Sequence, residues 1–222
     1  MRHVALVGFA APVMLLSGLP GRALGQLEPA CVANSPERRG EIGCSLVETK
    51  LLPAGLAQGL LWHIDRFTSS TAAQAAVGAN SVAFAAHDAW WLMTLELHAD
   101  MHHGGTHVAA VRLPPLPQAD RYAMLAMSAY VPAGLTSRVH VHSGVEGFYV
   151  VDGEQCLETP TRTYPMPKGA TAMVAAGDTM RLVATGPGPR RALAVVVYDA
   201  AQPPTARPDN PPALVACARK SP

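Results

Sequence analysis

Residues 134–153 read GLTSRVHVHSGVEGFYVVDG. In an extended strand, residues two apart face the same side. His140 and His142 therefore project together, and Val139 and Val141 project the other way. Ser143-Gly144-Val145 reads as a tight turn, after which Glu146 can return beside the two imidazoles. Two imidazoles and a carboxylate on one face are a donor set for Fe, Mn, Ni, Cu or Zn. Phe148 and Val150 share the parity of Glu146, so both are expected to line the same interior, with Tyr149 pointing outward. Two histidines at this spacing are a weak signal alone. The glutamate and the glycines at both ends sharpen it.

The surrounding texture says what kind of interior this is. From residue 121, short β-prone runs such as RYAMLAMSAYV, EQCLETP, TAMVAAG and RRALAVVVYDA alternate with Gly or Pro signals. That rhythm indicates an antiparallel sandwich or barrel. Upstream, LPPLPQAD marks a boundary, because clustered prolines cannot lie within a central strand. Before it, SLVETKLL and the alternating GLLWHIDRF read as strands. TSSTAAQAAVGA reads as a helix capped by Thr68, Ser69 or Ser70 and ended by Gly78. SVAFAAHDAWWLMTLEL reads as two strands joined near His87-Asp88. The expected fold class is mainly β. A small α+β region spans residues 26–117, a barrel 118–202, and a proline-rich tail 203–222.

The spacing of Gly134, His140, His142, Glu146 and Gly153 is an unbroken match to the first motif of the cupin family. The β-rich half of the chain is similar to the cupin jelly roll. The resemblance implies a barrel holding one divalent transition metal on His140, His142 and Glu146, with positions left open for a small molecule. It also implies a homodimer paired through sheet edges. The second cupin motif is degenerate. Aligned on Gly169 and Gly177, it has Ala175 for the usual proline, Met180 for the usual histidine and Ala184 for the usual asparagine. Three readings stay open. A metal is kept on three ligands, as in many non-haem iron oxygenases. Met180 is a soft fourth ligand that favours Cu. Or the metal is lost and the barrel binds a small molecule, with Met180 as a lining hydrophobe. The functional expectation is a metal-dependent dioxygenase or isomerase on a small organic substrate. The alternative is a non-catalytic binding or sensing barrel.

Other candidates have plainer readings. His98, His102, His103 and His107 lie around Gly104-Gly105 and read as an exposed turn, with a second metal site as the lesser alternative. His63 with Asp65 reads as a structural pair, and Trp62, Trp90 and Trp91 as packing residues. Tyr130 reads as sheet packing, Arg190-Arg191 as an exposed turn after GPGP, and Gln155 as strand surface. Arg181 has the opposite parity to Met180 and is placed outside the pocket.

The net charge of +1 gives no electrostatic case for nucleic acid or an anionic membrane as partner. MRH followed by a broken apolar run and small residues at Ala23 and Gly25 reads as a signal peptide cleaved near Gly25. The run is too short and interrupted for a stable membrane span, so the expected location is periplasmic or secreted. In an oxidising compartment, Cys31, Cys44, Cys156 and Cys217 suggest disulfides. Cys31–Cys44 with Cys156–Cys217 is one sensible pairing, and Cys31–Cys217 is another.

Overall fold

The computed structural model describes residues 26–27, 32–33, 43–101 and 103–218. The expected signal peptide, Cys31 and His102 lie outside the described residues. The chain begins with strands β1 (Gln26–Leu27), β2 (Val32–Ala33) and β3 (Gly43–Leu51). A block follows of β4 (Leu61–Phe67), helix α1 (Ser70–Ala75), β5 (Ser81–Ala86), β6 (Ala89–Glu96) and β7 (Thr106–Arg112). The next strands are β8 (Tyr122–Val131), β9 (Thr136–Ser137), β10 (Val141–His142), β11 (Val145–Asp152) and β12 (Gln155–Glu158). The last are β13 (Thr163–Met166), β14 (Thr171–Val174), β15 (Arg181–Ala184), β16 (Arg190–Asp199) and β17 (Thr205–Ala206).

Two sheets close the barrel. One has the order β14-β11-β16-β8-β3-β2, and the other β1-β9-β15-β12-β13. The crossing between sequence-distant strands, with β11 and β8 flanking β16, is jelly-roll connectivity. A third sheet, β5-β6-β4-β7, covers the outer face of the six-stranded sheet. The middle layer is therefore buried on both sides, and its strands are apolar at successive positions. On β16, Ala194, Val196 and Tyr198 face the barrel interior. Leu193, Val195 and Val197 pack outward with Trp62, Ile64 and Met93 of the covering sheet. On β8, Leu125 and Met127 point inward, and Tyr122 and Met124 point outward.

The covering sheet follows its sequence pattern. Trp62 and Ile64 face the barrel, while His63 and Asp65 lie on the opposite face. His87 and Asp88 have positive φ (51° and 60°) and make the tight β5–β6 hairpin. Helix α1 is capped by Ser69, whose Oγ accepts from Ala72 N at 3.2 Å. It is shorter than its sequence pattern suggests and ends at Ala75, with Ala76 as C-cap. Only Ala73 of the helix is buried, so little apolar area holds further turns in place.

Two segments lie elsewhere than local pattern places them. β3, grouped by sequence with the N-terminal region, pairs antiparallel with β8 and belongs to the barrel. The tail is also built in. β17 pairs with β10 beside the histidines. Cys217 is disulfide-bonded to Cys156 of β12, and its N–H donates to Glu158 Oε1 at 2.8 Å. Cys44 is disulfide-bonded as well. The bond between Cys156 and Cys217 excludes the alternative Cys31–Cys217 pairing.

Candidate metal centre

Short elements bring the three donors together. His140 forms a lone antiparallel bridge with Met180, through N–H···O bonds of 3.1 Å and 3.0 Å. His142 lies on β10, opposite Thr205. Glu146 lies on β11, opposite Val174 on one side and Val196 on the other. The chain reverses between them at Ser143-Gly144, where a Cβ on Gly144 would strike the backbone of Val197 and Tyr198. Gly177 supports the same spot from the next turn. Its φ is +80°, and its N–H donates to His142 O at 2.9 Å.

His140, His142 and Glu146 are all buried, and one ligand atom from each lies within 4.8 Å of the others. Among the described residues no other set of three His, Cys, Asp or Glu side chains meets that condition. The imidazoles are oriented from behind. His140 Nδ1 is 2.8 Å from Arg138 O, and His142 Nδ1 is 2.9 Å from Pro204 O. A carbonyl only accepts, so each Nδ1 carries the proton and each Nε2 presents its lone pair. Metal-bound histidines are held by this kind of outer partner. His142 Nε2 and Glu146 Oε2 are 3.0 Å apart, yet neither has an aligned hydrogen bond and both are buried. Two ligands about 2.1 Å from one ion and at right angles would be about 3 Å apart. The donor set, its tautomers and its spacing fit a divalent transition metal.

The electrostatics separate the two rings. Burial pushes the pKa of His140 down, and the nearby Glu146 charge only partly opposes this. His142 is equally desolvated, but the Glu146 carboxylate and the Pro204 carbonyl outweigh burial and shift it up. The ring that contacts the carboxylate is thus the one that holds a second proton more readily.

These donors open onto a barrel cavity of about 400 Å³. Its walls are mainly apolar and include Leu125, Met127 and Phe148. Phe148 and Val150 face the interior with Glu146, and Tyr149 faces outward onto Trp91 of the covering sheet. Met180 is fully buried in the barrel core. Its register opposite His140 puts the two side chains on one face. Neither Met180 nor Val150 is among the residues that line the cavity, though both belong to the barrel core. Arg181 pairs with Glu158, outside the cavity.

Sequence reasoning misplaced the charged residue of the wall. Arg190 does not sit in an exposed turn: it is 5% exposed and lines the cavity. Gln155 is likewise not surface but fully buried, and its Oε1 accepts from Arg190 Nη1. Burial pushes the Arg190 pKa down to about 10, against the pull of Glu146. The GPGP turn before Arg190 is a strong local sign of exposure, whereas strand parity from Ala192 and Ala194 would have pointed Arg190 inward. Tyr130 stays on the sheet surface under Arg191, 6.0 Å from its guanidinium.

The histidine-rich segment also differs from its sequence reading. His98 is exposed as expected, but His103 and His107 are half-buried and fold onto Asp65, at 2.9 Å and 3.1 Å, and His103 Nε2 reaches Glu96 at 3.2 Å. Gly105 permits this approach, since a Cβ there would lie 2.7 Å from the Phe67 ring. His63 sits beneath them, fully buried, with both ring nitrogens unpartnered. It is therefore not hydrogen-bonded to Asp65.

No protein-family model matches the chain, and no curated protein matches it. Solved structures do. A cupin superfamily protein from Desulfitobacterium hafniense is 18% identical over 37% of this chain and 72% of its own, with a TM-score of 0.31. A double-stranded β-helix protein from Klebsiella pneumoniae is 21% identical over 37% and 68%, with a TM-score of 0.34. A polyketide cyclase from Streptomyces resistomycificus is 21% identical, with a TM-score of 0.33; the match spans 37% of this chain and 58% of the cyclase. By its strand order the barrel of this chain is a jelly roll, and it is similar, at low identity, to the cupin and double-stranded β-helix structures above.

Proposed function

We propose that the barrel holds one divalent transition metal on His140, His142 and Glu146 and acts on a small organic molecule in the adjoining cavity. The observation that carries this reading is the convergence of three buried donors whose two imidazoles are fixed with Nε2 forward. Bound there, the ion would supply Lewis-acid or redox chemistry with coordination positions left for a small molecule. The chain's own part is to orient the imidazoles through Arg138 O and Pro204 O and to exclude water with apolar walls. Dioxygenation and isomerisation are the reaction classes we assign, and Fe, Mn, Cu, Ni and Zn all suit the donors. We further propose that the protein is exported after cleavage near Gly25. The apolar first residues and the Cys156–Cys217 bond support this.

A second reading, capture of a small molecule without turnover, is favoured by one feature. Met180 occupies the place opposite His140 where a further imidazole would complete a stronger site. Elemental analysis of the purified protein, repeated on His140→Ala/His142→Ala, separates the two. About one metal per chain, lost in the double variant, supports the metal-dependent reading. No retained metal after loading with Fe(II), Mn(II) or Cu(II) would favour capture.

A further inference from the structure

Within the cavity one charged group is unanswered. Arg190, the first residue of β16, lines the cavity with His140, His142 and Glu146. Its Nη1 donates to Gln155 Oε1, whose residue is itself fully buried. Its Nε is buried with no hydrogen-bond partner. No carboxylate among the described residues forms an ion pair with this guanidinium, whereas Arg181 and Arg191 pair with Glu158 and Asp88. Among the described residues Glu146 is the one carboxylate lining the cavity, and it faces His142 at 3.0 Å.

A buried guanidinium without a counter-ion is costly, so such groups are paired or face a ligand that pairs them. The remaining donors set the chemistry. A guanidinium offers a planar fork that matches the two oxygens of a carboxylate. Gln155 holds one edge of the fork, and the rest of the Arg190 side chain forms part of the cavity wall. Among the described residues Arg190 is the only lysine or arginine in the cavity wall, so they supply one permanent positive charge there. A singly charged carboxylate matches that supply better than a dianionic phosphate does. The other walls, among them Leu46, Leu125, Met127 and Phe148, suit an apolar body. A cavity of about 400 Å³ admits only a small one.

We propose that Arg190, held by Gln155, is an anion subsite, and that the ligand of this barrel is a small carboxylic acid with an apolar body. Its carboxylate sits on Arg190 and its body reaches toward His140, His142 and Glu146. The inference rests on the reading of the barrel cavity as the functional site, and it assigns that site its substrate class.

The test uses benzoate and hexanoate as probes, with benzamide, hexanol and inorganic phosphate as controls. Binding to the full-length protein is followed by calorimetry, and metal content is measured on the same samples. Both carboxylates are expected to bind saturably, at least tenfold more tightly than the amide, the alcohol or phosphate. Arg190→Met should abolish that preference, and Arg190→Lys, which keeps charge without the fork, should reduce it. If benzoate binds the unaltered protein no better than benzamide, the proposal is wrong, whatever the variants do. Tighter binding of phosphate overturns the carboxylate assignment. A folded Arg190→Met that keeps the preference overturns the role of Arg190. Metal retained without carboxylate preference defeats this inference alone. Carboxylate preference without metal defeats the metal reading alone.

Discussion

Met180 stands opposite His140 on the barrel face, fully buried. An imidazole in place of its thioether would be a fourth donor, and a third nitrogen, on the face of His140. Met180→His is therefore expected to tighten Mn(II) or Zn(II) binding by about tenfold or more, the scale on which changes around a metal site act. A competitive chelator titration reads this, and unchanged affinity would mean that the side chain at 180 does not reach the ion. A different residue-scale effect belongs to His103. Its desolvation is outweighed by Glu96 and Asp65, and its pKa is raised. Its contribution to stability is complete below the unfolded value, about 6.5, and is lost as pH rises through the raised folded value. His63 acts in the opposite direction. Burial first, and then the His107 charge, lower its pKa, so stability is lost as pH falls below the unfolded value. His103→Gln should flatten the alkaline limb of a urea-midpoint profile, and His63→Leu the acid limb. The parity of the strand made Glu146, Phe148 and Tyr149 legible from sequence. Nothing local revealed that His103 would turn onto Asp65, because that contact joins residues 38 positions apart.

At the scale of elements, the tail is the part that sequence least disclosed. Proline richness marked it as extended, and extended it is. Yet its Pro204 carbonyl orients His142, its Thr205 Oγ1 lies 3.1 Å from the same ring nitrogen, and Cys217 ties it to β12. A two-residue strand carries no periodic signal, and its pairing with β10 spans more than sixty positions of chain. The bond between Cys156 and Cys217 closes a loop of sequence separation 61. On loop-closure entropy it contributes about 4 kcal/mol. Cys156→Ser/Cys217→Ser should lower the unfolding free energy by about 2–4 kcal/mol in denaturant titration. Metal affinity should fall alongside, since the tail then holds Pro204 less firmly. Thr205→Val separates these effects. It should weaken metal binding, by up to about tenfold, with little change in the denaturation midpoint.

At the scale of the molecule, the three layers share their apolar faces. The proline boundary after β7 reads in sequence as a division between two units. However, β3 crosses it to pair with β8, and Leu113 and Leu116 of the boundary itself are buried in the shared core. Fully buried Trp62 shows the consequence. It packs against the middle sheet over Gly147, one residue from Glu146, where a Cβ would lie 2.9 Å from its ring. Trp62→Ala removes a large side chain from between layers and should cost about 3–5 kcal/mol. Trp62→Phe should cost less, because the indole Nε1 is a buried donor without a partner. If the layers fold together, tryptophan fluorescence and metal release will follow one denaturation curve in the full-length protein. A fragment of residues 118–222 lacks β3 and bares Met124, Leu193, Val195 and Val197 to water. It should aggregate or remain non-cooperative, since so large an apolar face needs a partner. A soluble, cooperatively folded fragment that binds metal as the whole chain does would show instead that the covering sheet is dispensable to the barrel.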